Sequence, residues 1–564
     1  MADNQNNLVP LARLCAEFEL KKVLLSPGAR SAPLVRAFTE ASGFEVRVVN
    51  DERAAAFMAL GMAKADGKAP ILICTSGSAL LNYAPAVAEA DGADIPILIL
   101  SADRPKEFLG QFEGQTTFQD HIFKPWTRAD LSLEGEDLSQ RPAWVCSQIA
   151  QALRKLTSPP SGPVHINLHF REPLFEPPDF TVTVPRHPTM LGPSSDFQKG
   201  LDQLAGWLAS GKRIMGLAGS RLGSALSTSS FVRWLLHQGI PVLAEPGAES
   251  LKHPLLLANA QDILNLDSEN ALRENVPEIL LTWGGNIVSK NVKKFFTQYP
   301  PSCHIHIDAA GRAVNPFGCL SGIWAWDLNL TAKIESQPQE VDCFHVQPWV
   351  AQWREASLRA LEKRKAALEA LPFCDATAMR AVIGKIRPGA AAHVGNSMPV
   401  RYFYDMYALW DHAFHVDVNR GVSGIDGTLG TAVGLAWAQP ETEVWCLLGD
   451  VSFHHGVNAL WVEEVPSNLR VVVFNNGGGN IFGVIPGPSQ TPHPRKYFEN
   501  RMRSTARWDA RKFGLNYFSA GDMHSLMDAL AKLTGAKGAA LLEIFTDPDI
   551  NISAFQQLYT SLKP

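Results

Sequence analysis

Two stretches in the C-terminal third decide the fold: VWCLLGD at residues 444–450 and RVVVFNNGGGN at residues 470–480. Each is a short apolar run that ends in polar residues or glycine, which is typical of a strand buried on both faces of a parallel sheet. Similar runs near the N-terminus lie at residues 23–25, 46–49, 71–74 and 95–100, with alanine-rich helical stretches between them. The pattern predicts an α/β protein built on parallel sheets.

The order of elements around these two stretches repeats an order found near the N-terminus. SAPLVR at residues 31–36 matches SMPVR at 397–401, residues 48–63 match 416–436, and the strands at 71–77 and 95–100 match those at 444–450 and 470–474. Four elements match in sequence, which favours two copies of one fold over a chance similarity. Ligands of such folds bind at the carboxyl ends of the strands. The residues directly after each strand are therefore the candidate site residues.

Proline density and composition divide the chain into three blocks. Six prolines lie between residues 173 and 193, and such a stretch predicts a linker. We predict an N-terminal domain at 1–180, a central α/β domain at 195–345 and a C-terminal domain at 372–564. A polar, irregular segment at 336–350 and a charged helix at 353–371 separate the last two, and the charge run at 362–365 is expected to face solvent.

The composition excludes several classes of protein. The chain has 564 residues, is 46% hydrophobic and 19% charged, and carries a net charge of −5, so it is globular and offers no basic surface for nucleic acid. Its longest apolar stretches are strand-sized, so no membrane span is expected. The N-terminus has charged residues where a signal peptide needs an apolar core, and the eight cysteines are scattered singly. These features predict a reduced, cytoplasmic protein without a cysteine zinc site.

Asp450 and Asn476 each come directly after one of the two deciding strands. At the ends of adjacent strands both could reach one small ion, and their hard oxygen atoms suit Mg²⁺ held together with a ligand phosphate. The glycines at 477–479 would let the backbone approach the ion and the phosphates closely. Taken alone, each residue is more often a turn residue. Taken together, the spacing, strands and glycines favour a cation site.

The pattern Gly449-Asp450, with Asn475-Asn476 after a spacing of 24 residues, resembles the signature of thiamine-diphosphate enzymes. The resemblance implies that Asp450, Asn476 and the backbone of Gly478 hold Mg²⁺ or Mn²⁺ on the diphosphate, with Val451 and Ser452 beside the cofactor. It also implies a thiamine-diphosphate-binding fold with a pyrimidine-binding, a central and a diphosphate-binding domain in succession, the order predicted above.

The family needs one carboxylate at the pyrimidine ring, and Glu52 at the end of an N-terminal strand is the candidate. By resemblance, Glu52 would hydrogen-bond a ring nitrogen of the aminopyrimidine. That bond favours the imino tautomer, which can accept the proton of the thiazolium carbon. A carboxylate that merely stabilises a helix start is the simpler reading of Glu52 alone. The internal repeat and the Asp/Asn pattern favour the functional one.

Further segments resemble one family of thiamine enzymes, the 2-succinyl-5-enolpyruvyl-6-hydroxy-3-cyclohexene-1-carboxylate synthases of menaquinone biosynthesis. The matching segments cover the first and third blocks and lie at residues 26–34, 51–57, 75–79, 102–105, 162–167, 395–401, 419–427 and 476–482. Members join 2-oxoglutarate, after its decarboxylation, to isochorismate, a transferase (carboligase) reaction. The match is weak in the central block, where Gly216, Gly219 and Gly223 do not form a dinucleotide fingerprint, so no flavin or nicotinamide is expected there.

Four arginines lie just beyond predicted strand ends: Arg30, Arg104, Arg401 and Arg420. Both 2-oxoglutarate and isochorismate carry two carboxylates, and arginine binds carboxylates bidentately while staying charged. A monoanion such as pyruvate would need fewer arginines. Ordinary ion pairs between domains remain the alternative explanation for any one of them.

The resemblance assigns roles to further residues. Ser26, Arg30 and Gln115 would contact isochorismate, Arg401 and Arg420 would hold carboxylates of the donor or acceptor, and Ser397 would lie beside the cofactor. Ile425, next to Gly424, would force the cofactor into its bent form, and Ile481 and Phe482 would wall the site or simply pack in the core. Arg104 and Lys290 complete the expected substrate contacts. Of these, Glu52, Arg30, Gln115, Arg401 and Arg420 are the expected catalytic set.

The chain departs from the family pattern at three places. The family's Asn-Gln pair reads Gly114-Gln115 here, and its Lys-Arg pair in the central block reads Lys290-Asn291. In the family a Thr-Pro-His triplet usually comes after an acidic aromatic segment, whereas here residues 503–505 (Arg-Ser-Thr) stand where it would fall. These departures concern the acceptor site and leave the cofactor chemistry intact.

By resemblance the cofactor lies between the first domain of one chain and the third domain of another, so a homodimer or homotetramer is expected. Two other functions stay open at this point. One is another thiamine-diphosphate 2-oxoacid decarboxylase or carboligase. The other, of a different class, is a non-catalytic assembly or sensing module that keeps the fold.

Overall fold

The structure, a computed structural model, describes residues 6–181, 197–219, 230–245, 253–266, 273–326, 328, 347–409, 414–502 and 504–562. Within these residues the strands form three six-stranded sheets of parallel strands with helices between them. This confirms the prediction of an α/β protein built on parallel sheets.

The first sheet has the strand order β2-β1-β3-β4-β6-β5. Its strands are β1 (Lys22–Leu25), β2 (Glu45–Val48), β3 (Ile71–Cys74), β4 (Leu98–Asp103), β5 (Ala129–Glu134) and β6 (Val164–His169). Its helices are α1 (Val9–Glu17), α2 (Ala32–Thr39), α3 (Glu52–Asp66), α4 (Ser78–Leu81), α5 (Ala84–Gly92), α6 (Asp137–Gln140) and α7 (Pro142–Thr157). Strands β3, β4 and β6 are buried along their whole length, because helices cover both faces.

The central sheet has the order β12-β11-β10-β7-β8-β9, which read from its other edge is the doubly wound order of nucleotide-binding folds. Its strands are β7 (Ile214–Ala218), β8 (Val242–Ala244), β9 (Leu256–Leu257), β10 (Ile279–Trp283), β11 (Cys303–Ile307) and β12 (Leu320–Trp324). The helices are α8 (Phe197–Ala209), α9 (Ser230–His237), α10 (Ala260–Leu266), α11 (Lys290–Gln298) and α12 (Pro348–Glu369). Gly223 lies outside the described residues.

The third sheet has the order β14-β13-β15-β16-β18-β17. Its strands are β13 (Ala391–Val394), β14 (His415–Asp417), β15 (Val444–Gly449), β16 (Leu469–Asn475), β17 (Asn516–Ala520) and β18 (Ala540–Phe545). The helices of this block are α13 (Asp375–Ile383), α14 (Met398–Tyr407), α15 (Thr428–Ala438), α16 (Asp450–Gly456), α17 (Ile481–Val484), α18 (Arg507–Lys512), α19 (Met523–Thr534) and α20 (Pro548–Thr560).

The internal repeat predicted from the sequence is confirmed by topology, because the first and third sheets order their strands identically. The matched helices α3 and α15 also cross each other. A Cβ at Gly61 would overlap the carbonyl oxygen of Thr431, and a Cβ at Gly434 would overlap that of Met58. These glycines occupy matched positions of the repeat, so the contact is reciprocal and only glycine permits so close a crossing.

Local signals explain where the first long helix begins and ends. Asp51 has an extended backbone, and its side chain accepts a hydrogen bond from the backbone N–H of Ala54, so it is the N-cap of α3. At the other end Gly67 adopts the left-handed conformation (φ 73°) that glycine tolerates best. The helix therefore presents Glu52 as its first residue, just after the end of β2.

Three expectations about element boundaries need correction. The strand expected at 95–100 begins at Leu98, after Pro96, which has no backbone N–H to donate to a neighbouring strand. Helix α12 begins at Pro348, inside the segment expected to be irregular, whose residues 336–346 lie outside the described part. Of the proline-rich linker, residues 182–193 are not described, and residues 171–180 pack on the N-terminal block, where Asn6 donates to the carbonyls of Arg171 and Pro173.

The charge run at 362–365 does not lie wholly in solvent, because Arg364 is completely buried. Its Nε donates to Asp262 over 3.0 Å, and its Nη2 lies 3.8 Å from Asp405. The other three side chains of this run are exposed, so the sequence gives no sign that Arg364 is buried. The expectation of a solvated face was wrong for Arg364.

By its internal contacts the chain divides into two compact units. One comprises residues 1–192, 419–441 and 452–469, and the other comprises residues 193–418, 442–451 and 470–564. Helix α15 and most of α16 thus belong to the unit of the first sheet, whereas the strands of the third sheet, apart from Leu469, belong to the unit of the central sheet. The three domains predicted from the sequence remain a prediction.

Two observations concern the described residues of all three blocks together. No helix among the described residues is long and apolar enough to cross a membrane. The seven cysteines in the described part of the chain are free thiols, and five of them are buried.

Candidate functional site

The carboxyl ends of β15 and β16, neighbours in the third sheet, bring Asp450 and Asn476 to the same edge. Asp450 is only 4% exposed, and the nearby backbone N–H groups of Val451 and Gly477 partly oppose the effect of burial on the pKa of its carboxyl. The expectation that these strands are adjacent is therefore correct.

Burial, together with the nearby negative charge of Asp375, raises the pKa of Asp450 to about 7. A carboxylate in such a place has lost the water that would stabilise its charge, and the two backbone N–H groups replace only part of it. A bound cation would supply the missing stabilisation.

The side chain of Asn476 has a buried oxygen without a hydrogen-bond donor among the described residues. Its Nδ2 donates to Asp375 over 2.8 Å, while its Oδ1 is buried and accepts no hydrogen bond from any described residue. Asp375, in turn, is fixed by Thr546 and by the side chain of Asn551. A buried carbonyl oxygen without a donor is costly unless a ligand satisfies it. This orphaned oxygen fits a divalent cation.

The three glycines after Asn476 form a tight turn. Gly477 and Gly478 have positive φ values of 81° and 149°, and a Cβ at Gly478 would lie 2.6 Å from the carbonyl oxygen of Glu499. The Met502 N–H donates to Gly477 over 2.8 Å, which holds the turn closed. The Gly478 carbonyl accepts one hydrogen bond, from Asn480, and keeps a second lone pair. The donor set of Asp450, Asn476 and Gly478 fits Mg²⁺ or Mn²⁺ with a diphosphate.

A buried carboxylate that the sequence did not single out supports this turn. Glu543 accepts hydrogen bonds from Asn475, Thr505, Tyr517 and the backbone of Ala506. Thr505 belongs to the triplet that departs from the family pattern, and its structural role here is to hold Glu543. Arg503 lies outside the described residues.

Glu52 stands at the carboxyl end of β2 in the first sheet, as the sequence predicts. Burial raises the pKa of its carboxyl, an effect opposed by its own backbone N–H and strengthened by Asp51. The neighbours on either side are fixed: Asp51 accepts from Asn458 over 2.8 Å, and Arg53 donates to the carbonyl of His455 over 2.6 Å. A half-buried carboxyl group on a rigid helix start can accept or donate a proton at one defined position.

Two arginines lie at the same edge of the first sheet. Arg30 comes after β1 and is nearly buried, with Nη1 donating to the carbonyl of Phe170 over 3.0 Å. Arg104 comes after β4, and its Nε is buried without a partner among the described residues. Burial lowers the pKa of Arg30, and the positive charge of Arg104 lowers it further. An anion bound here would relieve that repulsion.

Each of these two arginines forms one long ion pair with a glutamate. Glu172 lies 3.7 Å from Arg30, and Glu113 lies 3.7 Å from Arg104, and both glutamates are exposed. Ser26 lies between β1 and Arg30, and its Oγ donates to the carbonyl of Val49. These weak, exposed ion pairs favour a role in binding, but ordinary ion pairing, the alternative left open by the sequence, still stands beside that prediction.

Gln115 lies in a loop against the end of β3. It is exposed and has a left-handed backbone (φ 56°), and its backbone lies against Gly77. The neighbouring Gln119 is buried and accepts from the N–H of Gly77 over 2.8 Å. Ser76, which the sequence analysis did not single out, has a buried Oγ without a partner among the described residues. Gly114 is exposed, with open space beside it.

One other group in the described part of the chain brings metal-ligand types together: Asp103, Asp120 and His169. These atoms already satisfy one another. His169 Nδ1 lies 2.6 Å from the Arg104 carbonyl and Nε2 lies 3.1 Å from Asp120, while Asn167 donates to both carboxylates. Since a carbonyl only accepts, Nδ1 carries a proton, and the group acts as a hydrogen-bonded support for the backbone of Arg104.

A loop after β14 carries Arg420, Gly424 and Ile425, which belong to the same unit as the first sheet. Ile425 is half-buried, and its carbonyl accepts from the hydroxyl of Ser452 over 2.5 Å. The structure thus brings two expected cofactor residues together.

Ser397 and Arg401 lie at the start of α14, beyond the end of β13. Ser397 has φ 75° and ψ −127°, a conformation that costs energy for any residue with a Cβ and is concentrated at functional sites. Arg401 Nη1 donates to the carbonyl of Ser397 over 2.5 Å. The strained serine and the arginine are therefore held as one group.

Three further expected residues lie on helix starts. Lys290 is the exposed first residue of α11 in the central sheet, and Asn291, where the family has arginine, donates to Asn265. Ile481 and Phe482 begin α17, both half-buried, with Ile481 against the core of the third sheet. The roles of all these residues in binding remain predictions.

Two family models match the chain. One describes the N-terminal TPP-binding domain of thiamine pyrophosphate enzymes and matches residues 10–125. The other describes the C-terminal TPP-binding domain and matches residues 396–544. These segments contain Glu52 and the Asp450–Asn476 pair, respectively.

Full-length relatives share one name, 2-succinyl-5-enolpyruvyl-6-hydroxy-3-cyclohexene-1-carboxylate synthase. The chain is 31% identical to the protein of Flavobacterium johnsoniae over 567 residues, covering 98% of each. It is 33% identical to that of Desulfotalea psychrophila, covering 96% of this chain and 99% of the relative. It is 32% identical to that of Christiangramia forsetii, covering 98% and 99%. The chain therefore belongs to the 2-succinyl-5-enolpyruvyl-6-hydroxy-3-cyclohexene-1-carboxylate synthase family, and its cofactor is thiamine diphosphate.

Proposed function

We propose that this enzyme decarboxylates 2-oxoglutarate and adds the remaining four-carbon unit to isochorismate in a 1,4 sense. The products are CO₂ and 2-succinyl-5-enolpyruvyl-6-hydroxy-3-cyclohexene-1-carboxylate, in menaquinone biosynthesis. The shared name of the full-length relatives supports the product, and the residues at the sheet ends support the chemistry.

One observation carries the proposal: the orphaned Oδ1 of Asn476 lies at the same sheet edge as the buried carboxylate of Asp450. Asp450, Asn476 and the backbone of Gly478 would hold Mg²⁺ or Mn²⁺ against the diphosphate of the cofactor. When bound, thiamine diphosphate supplies the electron sink that lets a 2-oxo acid lose CO₂ and form a carbon–carbon bond. Glu52 would fix a proton at the pyrimidine ring.

The arginines support substrates with two carboxylates. Arg30 and Arg104, whose like charges lie close together, would bind one carboxylate bidentately, and Ser26 would contact isochorismate. Arg401, Arg420 and Lys290 would bind the others, with Ser397 beside the reacting carbon. Because these side chains only bind and orient, the reaction needs few protein acids or bases beyond Glu52.

The test is an assay of the purified enzyme with thiamine diphosphate and Mg²⁺. We expect CO₂ release from 2-oxoglutarate to be accompanied by equal consumption of isochorismate. Turnover of pyruvate that ignores isochorismate would instead favour a simple 2-oxoacid decarboxylase or carboligase. Cofactor binding without any turnover would favour the non-catalytic module.

As part of the same proposal, the enzyme is a cytoplasmic homodimer or homotetramer whose sites combine two chains. Mixing inactive Glu52→Gln and Asp450→Ala proteins tests this directly. Each hybrid dimer would then hold one intact site, and random exchange of subunits would restore about a quarter of wild-type activity. Sites made within one chain would give no recovery.

A further inference from the structure

Glu89 is a buried carboxylate, 1% exposed, on helix α5. It accepts hydrogen bonds from three consecutive backbone N–H groups in the loop after β14. Gly421 donates to Oε1 over 2.7 Å, and Val422 and Ser423 donate to Oε2 over 2.8 and 3.2 Å. Successive backbone N–H groups aimed at one anion form a concave binding geometry that fixes a loop's conformation.

The surrounding backbone is shaped for this contact. A Cβ at Gly92 would lie 2.8 Å from the Cα of Gly421, so helix and loop approach as closely as glycine permits. Ser423 has a positive φ of 62°, a conformation that its surroundings must maintain. Val422 is exposed on the loop surface. Three hydrogen bonds to Glu89 and a close approach at Gly92 therefore hold this loop against helix α5.

A second contact holds the other side of the same loop. Lys64, near the end of α3 and almost completely buried, donates to Oδ1 of Asn419 over 2.9 Å, and Asn419 donates to the hydroxyl of Thr431. Arg420 thus stands between two fixed neighbours, Asn419 on one side and Gly421 on the other.

We propose that Glu89 is a positioning residue for the carboligation: it sets the conformation of loop 420–425 and, through it, the aim of Arg420 at a substrate carboxylate. The inference rests on the proposed function. Glu89 itself is not a substrate contact, because it is buried and its carboxylate already accepts three N–H groups. Its effect must pass through the loop.

The experiment is a double-mutant cycle on the holoenzyme with Glu89→Gln, Arg420→Gln and the double variant. Glutamine keeps the shape of Glu89 but turns an amide N–H₂ toward the loop. We expect Glu89→Gln to lower kcat/KM for isochorismate consumption roughly 10- to 100-fold in the wild-type background. In the Arg420→Gln background it should have almost no further effect, because the residue it positions is gone.

The matched control is Asp91→Asn, two residues along the same helix, where the carboxylate pairs with Arg128 and Asp94 lies nearby. It should lower the melting temperature without changing the ratio of kcat/KM in the two backgrounds. An equal loss from Glu89→Gln in both backgrounds, or no loss in either, overturns the proposal. If Glu89→Gln does not fold, Glu89→Asp enters the same cycle, since it keeps the charge but withdraws the carboxylate by one methylene.

A measurement independent of turnover separates this inference from the proposed function. Hydrogen exchange at residues 421–423 should be faster in the Glu89→Gln holoenzyme than in wild type or Asp91→Asn. If wild-type enzyme consumes no isochorismate, the proposed function fails, and exchange alone decides whether Glu89 fixes the loop. Unchanged exchange at 421–423 overturns the positioning role whatever the activity.

Discussion

The first and third sheets have the same strand order but carry different residues at the ends of their strands. After the second strand in order of sequence, the first sheet continues with Asp51 and Glu52, and the third continues with Arg420 and Gly421. One copy therefore ends this strand with acids and the other with a base. The helices that come next, α3 and α15, kept their matched glycines and pack against each other.

The next two strands extend the contrast. In the first sheet they lead into Thr75-Ser76-Gly77 and Arg104, and in the third they lead into Asp450 and Asn476. At these two strand ends the charges are reversed: the first sheet carries a cation suited to carboxylates, and the third carries oxygen atoms suited to a metal ion. Chemistry in this fold is set by a few residues after the strands, and the strands themselves can stay the same.

The largest effect is expected at the third sheet. Asp450→Ala removes the carboxylate expected to bind the metal, so the affinity for Mg²⁺ with thiamine diphosphate should fall at least about 100-fold. Calorimetric titration with the cofactor at fixed Mg²⁺ measures this. Asp528→Ala, an exposed acid of the same block, is the control, and equal affinities in the two variants would refute a metal site at this edge.

At the first sheet, Glu52→Gln separates binding from chemistry. The amide cannot exchange a proton with the pyrimidine ring, so kcat should fall roughly 100- to 10,000-fold, the range for a lost acid–base group. Cofactor affinity should change little, since the diphosphate is held elsewhere. Glu45→Gln, an exposed acid on β2, should keep full activity. Full product formation by Glu52→Gln would contradict the assignment.

Arg104→Lys tests whether the cations of the first edge bind a carboxylate. Lysine keeps the charge but loses the two-pronged geometry, so KM for isochorismate should rise about 10-fold with kcat nearly unchanged. Steady-state kinetics measure it. The control is Arg36→Lys, a partly exposed arginine paired with Glu40, which should leave KM as it is. If KM rose in Arg36→Lys but not in Arg104→Lys, the assignment of Arg104 as a substrate contact would be wrong.

The smallest effect concerns the support beneath Arg104. Burial lowers the pKa of His169, but the hydrogen bonds to Asp120 and to the backbone carbonyl of Arg104, together with the charge of Asp103, outweigh it, so the net pKa is raised. The resulting stability is fully present below the ordinary pKa of about 6.5 and is lost as pH rises through the raised value. Asp120→Asn should therefore lower the melting temperature by about 2–4 °C at pH 6 and by less at pH 8.5. An equal drop at both pH values would contradict a charged His169.

Much of this contrast could be predicted from the sequence. Apolar runs that end in Asp450, Asn476 or Glu52 mark strand ends, and parallel strands place those ends on one edge. The repeat could also be predicted, because four elements match in the same order in the first and third blocks. These signals are local or periodic, and the structure confirms the fold they predict.

Other features depend on partners far apart in the chain. Glu89 reads as an ordinary acid in an alanine-rich helix, and nothing nearby indicates the loop 332 residues away that it holds. Arg364 sits in a run of charges, and only the fold brings Asp262 and Asp405 to it. Asp375, which lies before the glycine turn at residues 477–479, and Glu543, which lies after it, hold the residues that lead into this turn. No local pattern distinguishes such residues from solvated ones.

Helix α3 has Glu52 as its first residue and Lys64 near its last turn. At 1.5 Å per residue the two side chains are separated by roughly 18 Å along one stiff element. Inserting or deleting a single residue between them would turn one end by about 100° relative to the other. The helix between Glu52 and Lys64 should therefore tolerate substitutions at its exposed positions far better than insertions or deletions.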